Sequence, residues 1–532
     1  MTSKINCNHI IFYTCLFLVG FLILSHNLYY QAFLTTGDHG SNLMAFLKTM
    51  QGGHPFRDFW WPYGPLMPYY FALFLKIFGI SVQSVLLGET LLKVTAGLFF
   101  FGALRRLTNY MWGLLGTIYF WVFFQYFWHT YSHTGAVVAS LACFYYLICF
   151  LHKNSKKYVY AALLCVFILF LIKVNYGLVS LFNVFVAVLI TNLFRPDKIF
   201  SPKKFFFLGI VILPATVTGI YFLYVRNLPA PWVHQCLPYL SSDHPFNIHI
   251  LAGVAEFFKF LIFQMTRSPL ALFISGGLTV LFASYSHILI KEKNFKESQA
   301  DRQLILGTFF VLLFALTYLH EFILSGVYYR INWSTPFFII FLSMTVYHCI
   351  PKLHRVIQLF IIALVIFIVS FQYIKFQYFL KLQTNFFAHP RVQILVRNDS
   401  QWIQTVQQTT HFLQTHLKDN ETFFAFPYDP LYYFLTEKNN PTKYIIMVDF
   451  LYMPTSQEQD IINRLKNPAL RYLVMSNRIS SNEQGIGRFG KTHCKLLHNY
   501  IDQNYERVMM FGDWDNEPMW SKNHGTMIIQ KK

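Results

Sequence analysis

Residues 158–194 read YVYAALLCVFILFLIKVNYGLVSLFNVFVAVLITNLF, and Lys173 is their only charged side chain. A hydrocarbon layer about 30 Å thick is crossed by roughly 17 to 25 apolar helical residues. The stretch therefore holds two crossings, 158–173 and 175–194, with Lys173 at the turn between them. Outward from this pair the pattern repeats, with further spans expected at 10–30, 84–104, 110–128, 133–151, 204–224, 268–290, 303–324, 334–350 and 355–375. Hydrophobic residues make up 55% of the 532 and charged ones only 13%. The mean hydropathy is +0.39, so much of the apolar surface must face lipid. The fold class expected is an α-helical polytopic membrane protein of about eleven transmembrane helices plus interfacial helices.

The positive charge sorts by side. With the N-terminus in the cytoplasm, the inner loops contain Arg105–Arg106, His152–Lys157, Arg195–Lys204, Lys291–Arg302 and Pro351–Arg355, all basic as the positive-inside rule requires. The net charge of +19 is thus topological, and no nucleic-acid motif accompanies it. Two short runs, Pro65–Gly79 and Leu251–Met265, are left out of the count as interfacial or re-entrant helices. The first run, 10–30, is long for a signal peptide and is expected to stay as a helix. Eight scattered cysteines without CxxC spacing imply neither a zinc site nor a disulfide framework.

An odd number of spans puts the C-terminal segment on the outer side. Residues 1–382 are expected to form the membrane domain and 383–532 a soluble α/β domain in a periplasm or lumen. There the apolar runs shorten to strand length, at Phe423–Phe426, Tyr444–Val448 and Tyr472–Met475, and Trp402–Leu417 has helical period. The absence of an external cysteine framework favours a bacterial inner membrane.

The first external loop, 31–65, reads QAFLTTGDHGSNLMAFLKTMQGGHPFRDFWWPYGP. Gly, Pro, aromatic and titratable residues in such a loop mark a candidate site. Leu43, Leu47 and Met50 repeat at helical spacing, so Ser41–Gln51 is expected to be a short amphipathic helix with Asp38 at its entrance. The plain reading of Asp38 is an N-cap or turn residue. That of Asp58 is a partner for Arg57 or a turn former ahead of Trp60–Trp61. Glu89 and Lys93, four apart on one helix face, are expected to neutralise each other. Lys173, His320 and Glu321 lie at outer span ends, where snorkelling competes with lining a site.

The loop opening on Asp38, the Gly52-Gly53-His54-Pro55-Phe56-Arg57-Asp58 segment, Tyr63-Gly64-Pro65-Leu66 and Phe78-Gly79 together resemble the GT-C glycosyltransferase superfamily. The likeness is to the branch of protein O-mannosyltransferases and lipid A aminoarabinose transferases. Tyr328-Tyr329-Arg330 with Pro336, and Phe426-Pro427 to Leu435, are similar to that branch as well. The resemblance implies inverting transfer of a hexosyl or pentosyl group from an isoprenoid-phosphate donor to a lipid, glycan or protein hydroxyl on the outer face. Asp38 would be the general base, and Arg330, then Arg57, would face the leaving phosphate. Asp58, His39, Lys173, Tyr63, Tyr329, His320 and Glu321 would contact substrate. No cofactor and no metal ligand set is expected, a divalent ion being left open, and nucleic acid is not a partner. His39 stands where many relatives carry an acidic residue, and Gly64 where aminoarabinose-type relatives carry a basic one. Two other functions fit the composition: a transporter or flippase of lipid-linked sugars, and a catalytically inactive lipid-binding scaffold.

Overall fold

The computed structural model describes residues 7–29, 34–124, 131–193, 250–264, 299–325, 328–349, 380–396, 401–449, 453–480, 487–517 and 523–532, with isolated positions between 209 and 378. It divides into two compact units. One holds Met1–His26, Glu89–Pro229 and Asn247–Tyr378; the other holds Asn27–Gly88, Ala230–Phe246 and Phe379–Lys532.

The first unit is helical: α1 (Cys7–Leu24), most of α4 (Val82–Leu107), α5 (Tyr110–Phe124), α6 (Tyr131–Lys153), α7 (Lys156–Ile172), α8 (Val174–Leu193), α9 (Ile250–Gln264), α10 (Gln299–Thr317), α11 (His320–Ser325) and α12 (Thr335–Cys349). Four stretches are long and apolar enough to cross a membrane: Val82–Leu107, Tyr131–Lys153, Val174–Leu193 and Gln303–Ser325. Ile10–Leu24, Tyr110–Phe124 and Thr335–His348 are apolar but shorter. The polytopic helical architecture is therefore as expected. The count of eleven is not reached among the described residues, and the spans expected at 204–224, 268–290 and 355–375 lie outside them. The 303–324 span is not one unbroken helix; it is interrupted between α10 and α11, and the break presents His320 and Glu321 at the start of α11. Helix α9, one of the two runs excluded as spans, has 15 residues, about 22 Å at 1.5 Å per residue.

The second unit contains α2 (Asp38–Met50), α3 (Leu66–Phe78) and the C-terminal α/β region. Helix α3, the other excluded run, has 13 residues, about 20 Å, too short for a crossing. Its Met67, Phe71 and Leu75 are buried while Leu73, Ile77 and Phe78 are exposed, so it is apolar on both faces.

Beyond residue 383 come a hairpin, β1 (Asn385–His389) with β2 (Val392–Val396), and a four-stranded sheet in the order β3-β4-β6-β5. Strand β3 (Thr422–Phe426) runs parallel to β4 (Leu470–Ser476); β6 (Gly525–Lys531) is antiparallel to both β4 and β5 (Tyr505–Gly512). The helices are α13 (Trp402–His416), α14 (Leu431–Thr436), α15 (Thr455–Leu465) and α16 (Lys495–Asn504). Phe424, Phe426, Leu473, Ile461, Leu465, Leu497 and Ile529 pack as the core between sheet and helices. The runs expected at 423–426 and 472–475 are strands β3 and β4. Tyr444–Val448 is not a strand: it buries Ile445, Met447 and Val448 and gives one backbone bond, Met447 N–H to the Pro427 carbonyl at 2.7 Å.

Candidate active site

Asp38 is the first residue of α2, three positions ahead of the expected start, and Gly37 is the N-cap with no side-chain capping bond. Its carboxylate accepts a hydrogen bond from the Tyr428 hydroxyl instead. Its main-chain carbonyl accepts from Ser41 Oγ at 3.1 Å and Asn42 Nδ2 at 2.6 Å. The capping reading of Asp38 therefore gives way to one in which the helix start presents the carboxylate to the α/β region. An acid here also meets the positive end of the α2 dipole.

Two glycines permit this contact. A Cβ on Gly37 would lie 2.7 Å from the Tyr428 ring, and one on Gly40 would lie 2.4 Å from the Leu431 nitrogen. The Leu431 N–H bonds to the Thr36 carbonyl at 3.2 Å, so the chain entering α14 runs directly over the chain entering α2. Burial pushes the Tyr428 hydroxyl well above the ordinary phenol range, and the nearby Asp38 charge pushes it the same way. Tyr428 is thus a donor at every working pH.

His39 bonds to Thr35. Its Nδ1 accepts from Thr35 N–H at 3.3 Å while Thr35 Oγ1 accepts from His39 N–H at 3.4 Å. The two residues thus bond reciprocally across the start of α2. Desolvation lowers its pKa to about 4, so the ring is neutral and can accept. Arg57 and Asp58 form a bidentate pair, with Nη2 to Oδ2 at 2.7 Å, and Asp58 also accepts the His54 N–H at 2.7 Å. The turn-forming reading of Asp58 fits this geometry, and Arg57 directs its guanidinium at Asp58. Tyr63 packs edge-on against buried Trp61, at 5.6 Å between ring centres.

In the helical unit the residues expected at outer span ends include a buried cluster around Lys173 and Glu321. Lys173, between α7 and α8, pairs with Glu321 and contacts His133 Nε2. Asn175 donates to Glu321 at 2.6 Å and to His320 Nε2 at 3.0 Å, while His320 Nδ1 donates to the Thr317 carbonyl at 3.0 Å. His133 Nε2 stands 3.6 Å from Glu321 Oε2, and its ring stacks on Trp333 at 4.1 Å. The Lys173 ammonium lies over Trp333 at 4.8 Å and Tyr176 at 5.0 Å. Snorkelling is excluded for Lys173, which is 7% exposed and turned inward. Arg330 sits on the short 3-10 helix Tyr328–Trp333, partly exposed, 6.0 Å from the Trp333 ring, with Tyr329 exposed beside it. Sequence reasoning had no role for Asn175, Tyr176 or Trp333, whose partners come from other helices. The Glu89–Lys93 pair closes on itself as expected, at 3.2 Å, with Thr134 Oγ1 donating to Glu89 at 3.2 Å.

Asp38, His39, Arg57, Asp58 and Tyr63 thus belong to one unit, and Lys173, His320, Glu321, Tyr329 and Arg330 to the other. Among the described residues no three His, Cys, Asp or Glu side chains are grouped to hold a metal ion.

No family model matches the chain, and no curated protein matches it by sequence. Solved structures do match it in shape. ArnT from Cupriavidus metallidurans in the apo state superposes with a TM-score of 0.57 at 12% identity over 98% of both chains. The same protein bound to undecaprenyl phosphate gives 0.55 at 11% identity, again over 98% of both. The Archaeoglobus fulgidus oligosaccharyltransferase, in complex with Zn and sulfate, gives 0.50 at 11% identity over 94% of this chain and 72% of its own. At such identities the likeness is one of fold.

Proposed function

From a chain that has the GT-C glycosyltransferase fold over nearly its whole length, we propose that this protein is a membrane glycosyltransferase. It takes a hexosyl or pentosyl group from an isoprenoid-phosphate donor and passes it, with inversion, to an acceptor hydroxyl on the non-cytoplasmic face. The undecaprenyl phosphate bound by ArnT supports the carrier class. The proposed organisation is a membrane domain through residue 382 and an external domain over 383–532, in a bacterial inner membrane with the N-terminus inside.

The observation that carries the proposal is Asp38: a carboxylate at a helix start, partly exposed, aimed by a hydrogen bond rather than spent on a cap. The acceptor O–H gives its proton to this carboxylate as the oxygen attacks the anomeric carbon; the bond to the carrier phosphate breaks on the opposite side, so the configuration inverts. General-base assistance of this kind contributes roughly 10² to 10⁴-fold. The departing phosphate gains charge, which a cation stabilises more in the transition state than before it. We assign this to Arg330, the cation that the resemblance of Tyr328-Tyr329-Arg330 implies, which is carried on a short 3-10 helix and partly exposed.

Asp38→Asn is expected to reduce transfer by about 10² to 10⁴-fold with the protein still folded. A deletion strain should accumulate a polyprenyl-phosphate sugar in its lipid extract. Unchanged glycan and glycolipid composition in the Asp38→Asn strain would defeat the assignment.

A further inference from the structure

We propose that Tyr428, backed by Arg478, is the positioning residue that keeps the Asp38 carboxylate ionised and aimed, so that the external domain completes the base. The inference rests on Asp38 being the base and adds which residues make it one.

Tyr428 has little freedom to do anything else. The Pro427 carbonyl before it accepts from Met447 N–H at 2.7 Å, and Leu431 after it is bonded to Thr36 at 3.2 Å. Next to it, fully buried Asp429 accepts from Ser476 Oγ at 2.6 Å, fastening the segment to the end of β4. The phenol is buried, its ring meets Gly37, and its hydroxyl donates to Asp38. Behind the ring stands the Arg478 guanidinium, 5.7 Å from its centre and 3% exposed. A cation over a phenol face is attracted to the ring electrons and draws charge from the hydroxyl, making it a stronger donor. A donor to a carboxylate favours its charged form, the form that can accept the acceptor's proton. Tyr428 keeps its own proton throughout. The other titratable or charged groups near this pair are Tyr63, neutral His39, Asp429 and His524, whose pKa is lowered by burial foremost.

The test uses the full chain in lipid nanodiscs, with polyprenyl-phosphate lipids extracted from the deletion strain as donor and folding checked by thermal melting. Tyr428→Phe should lower kcat by about ten- to a hundredfold, the worth of one hydrogen bond to a charged group. KM for the donor should stay within about twofold, since the contact is not to substrate, and the acid limb of the kcat/KM profile should move up by about one pH unit. Arg478→Gln should shift the same limb in the same direction by less. A wild-type profile for Tyr428→Phe beside an inactive Asp38→Asn overturns the inference and leaves the base. An active Asp38→Asn overturns the base and this inference with it. Should Tyr428→Phe not fold, Gly37→Ala, whose added Cβ displaces the ring, and Arg478→Gln carry the test, and wild-type profiles in both overturn it.

Discussion

Glu321 is the residue whose loss should be felt most in the helical unit. It is 4% exposed and stands among Lys173, Asn175 and His133. Removing one member of a buried ion pair leaves the other charge uncompensated, at about 3 to 5 kcal/mol, whereas replacing both by apolar groups is often nearly neutral. Glu321→Gln should therefore lower the melting midpoint sharply, and Lys173→Met combined with Glu321→Leu should recover most of it. A wild-type midpoint for the single variant would count against the pair. His39 sets a pH dependence. Its folded pKa is lowered to about 4 by desolvation, against about 6.5 in an unfolded chain. The unfolded state binds the extra proton first, so stability is full above about 6.5 and is lost as pH falls toward 4. His39→Gln should flatten this part of the melting-midpoint curve relative to the parent protein; parallel curves would refute it.

At the scale of elements, the contact between α2 and α14 depends on an absent side chain. A methyl on Gly40 would meet Leu431 backbone at 2.4 Å, which cannot rotate away. Gly40→Ala should cost about 1 to 3 kcal/mol by overpacking and also weaken transfer by shifting Tyr428 from Asp38. Limited proteolysis of the 420–440 segment should quicken in the variant; an unaltered digestion pattern would argue against a forced separation. Elements with their own period were legible in sequence: α13 from Trp402 onward, β3, β4, and the membrane helices. Strands β5 and β6 were not, since YERVMMFG and GTMIIQK lack clear alternation, and β6 pairs with β4 as well as with β5, so the order β3-β4-β6-β5 departs from chain order. Tyr444–Val448 has strand composition but takes no ladder partner, because burial of Ile445 and Met447 rather than pairing determines its path.

For the molecule as a whole, the positive-inside pattern makes an orientation testable. Single cysteines placed in 52–58 and in 455–468 should be labelled by a membrane-impermeant maleimide from outside intact cells. One beside Arg105–Arg106 should be labelled only after permeabilisation. Labelling of both sets from the same side would refute the orientation.

Composition alone pointed to a polytopic helical membrane protein with a distinct α/β C-terminal region, because lipid exposure acts on residue type within a local window. The loop carrying Asp38 was found the same way, from its density of Gly, Pro and titratable groups. What Asp38 contacts was decided by tertiary structure. Its partner Tyr428 lies 390 positions away, brought there by the Gly37 and Gly40 contacts and by a strand that ends at Phe426. Lys173 and Glu321, 148 apart, likewise became a pair only when their helices packed. A hydrogen bond across such separations leaves no periodic mark in the chain, so the partner could not be read before the fold was known.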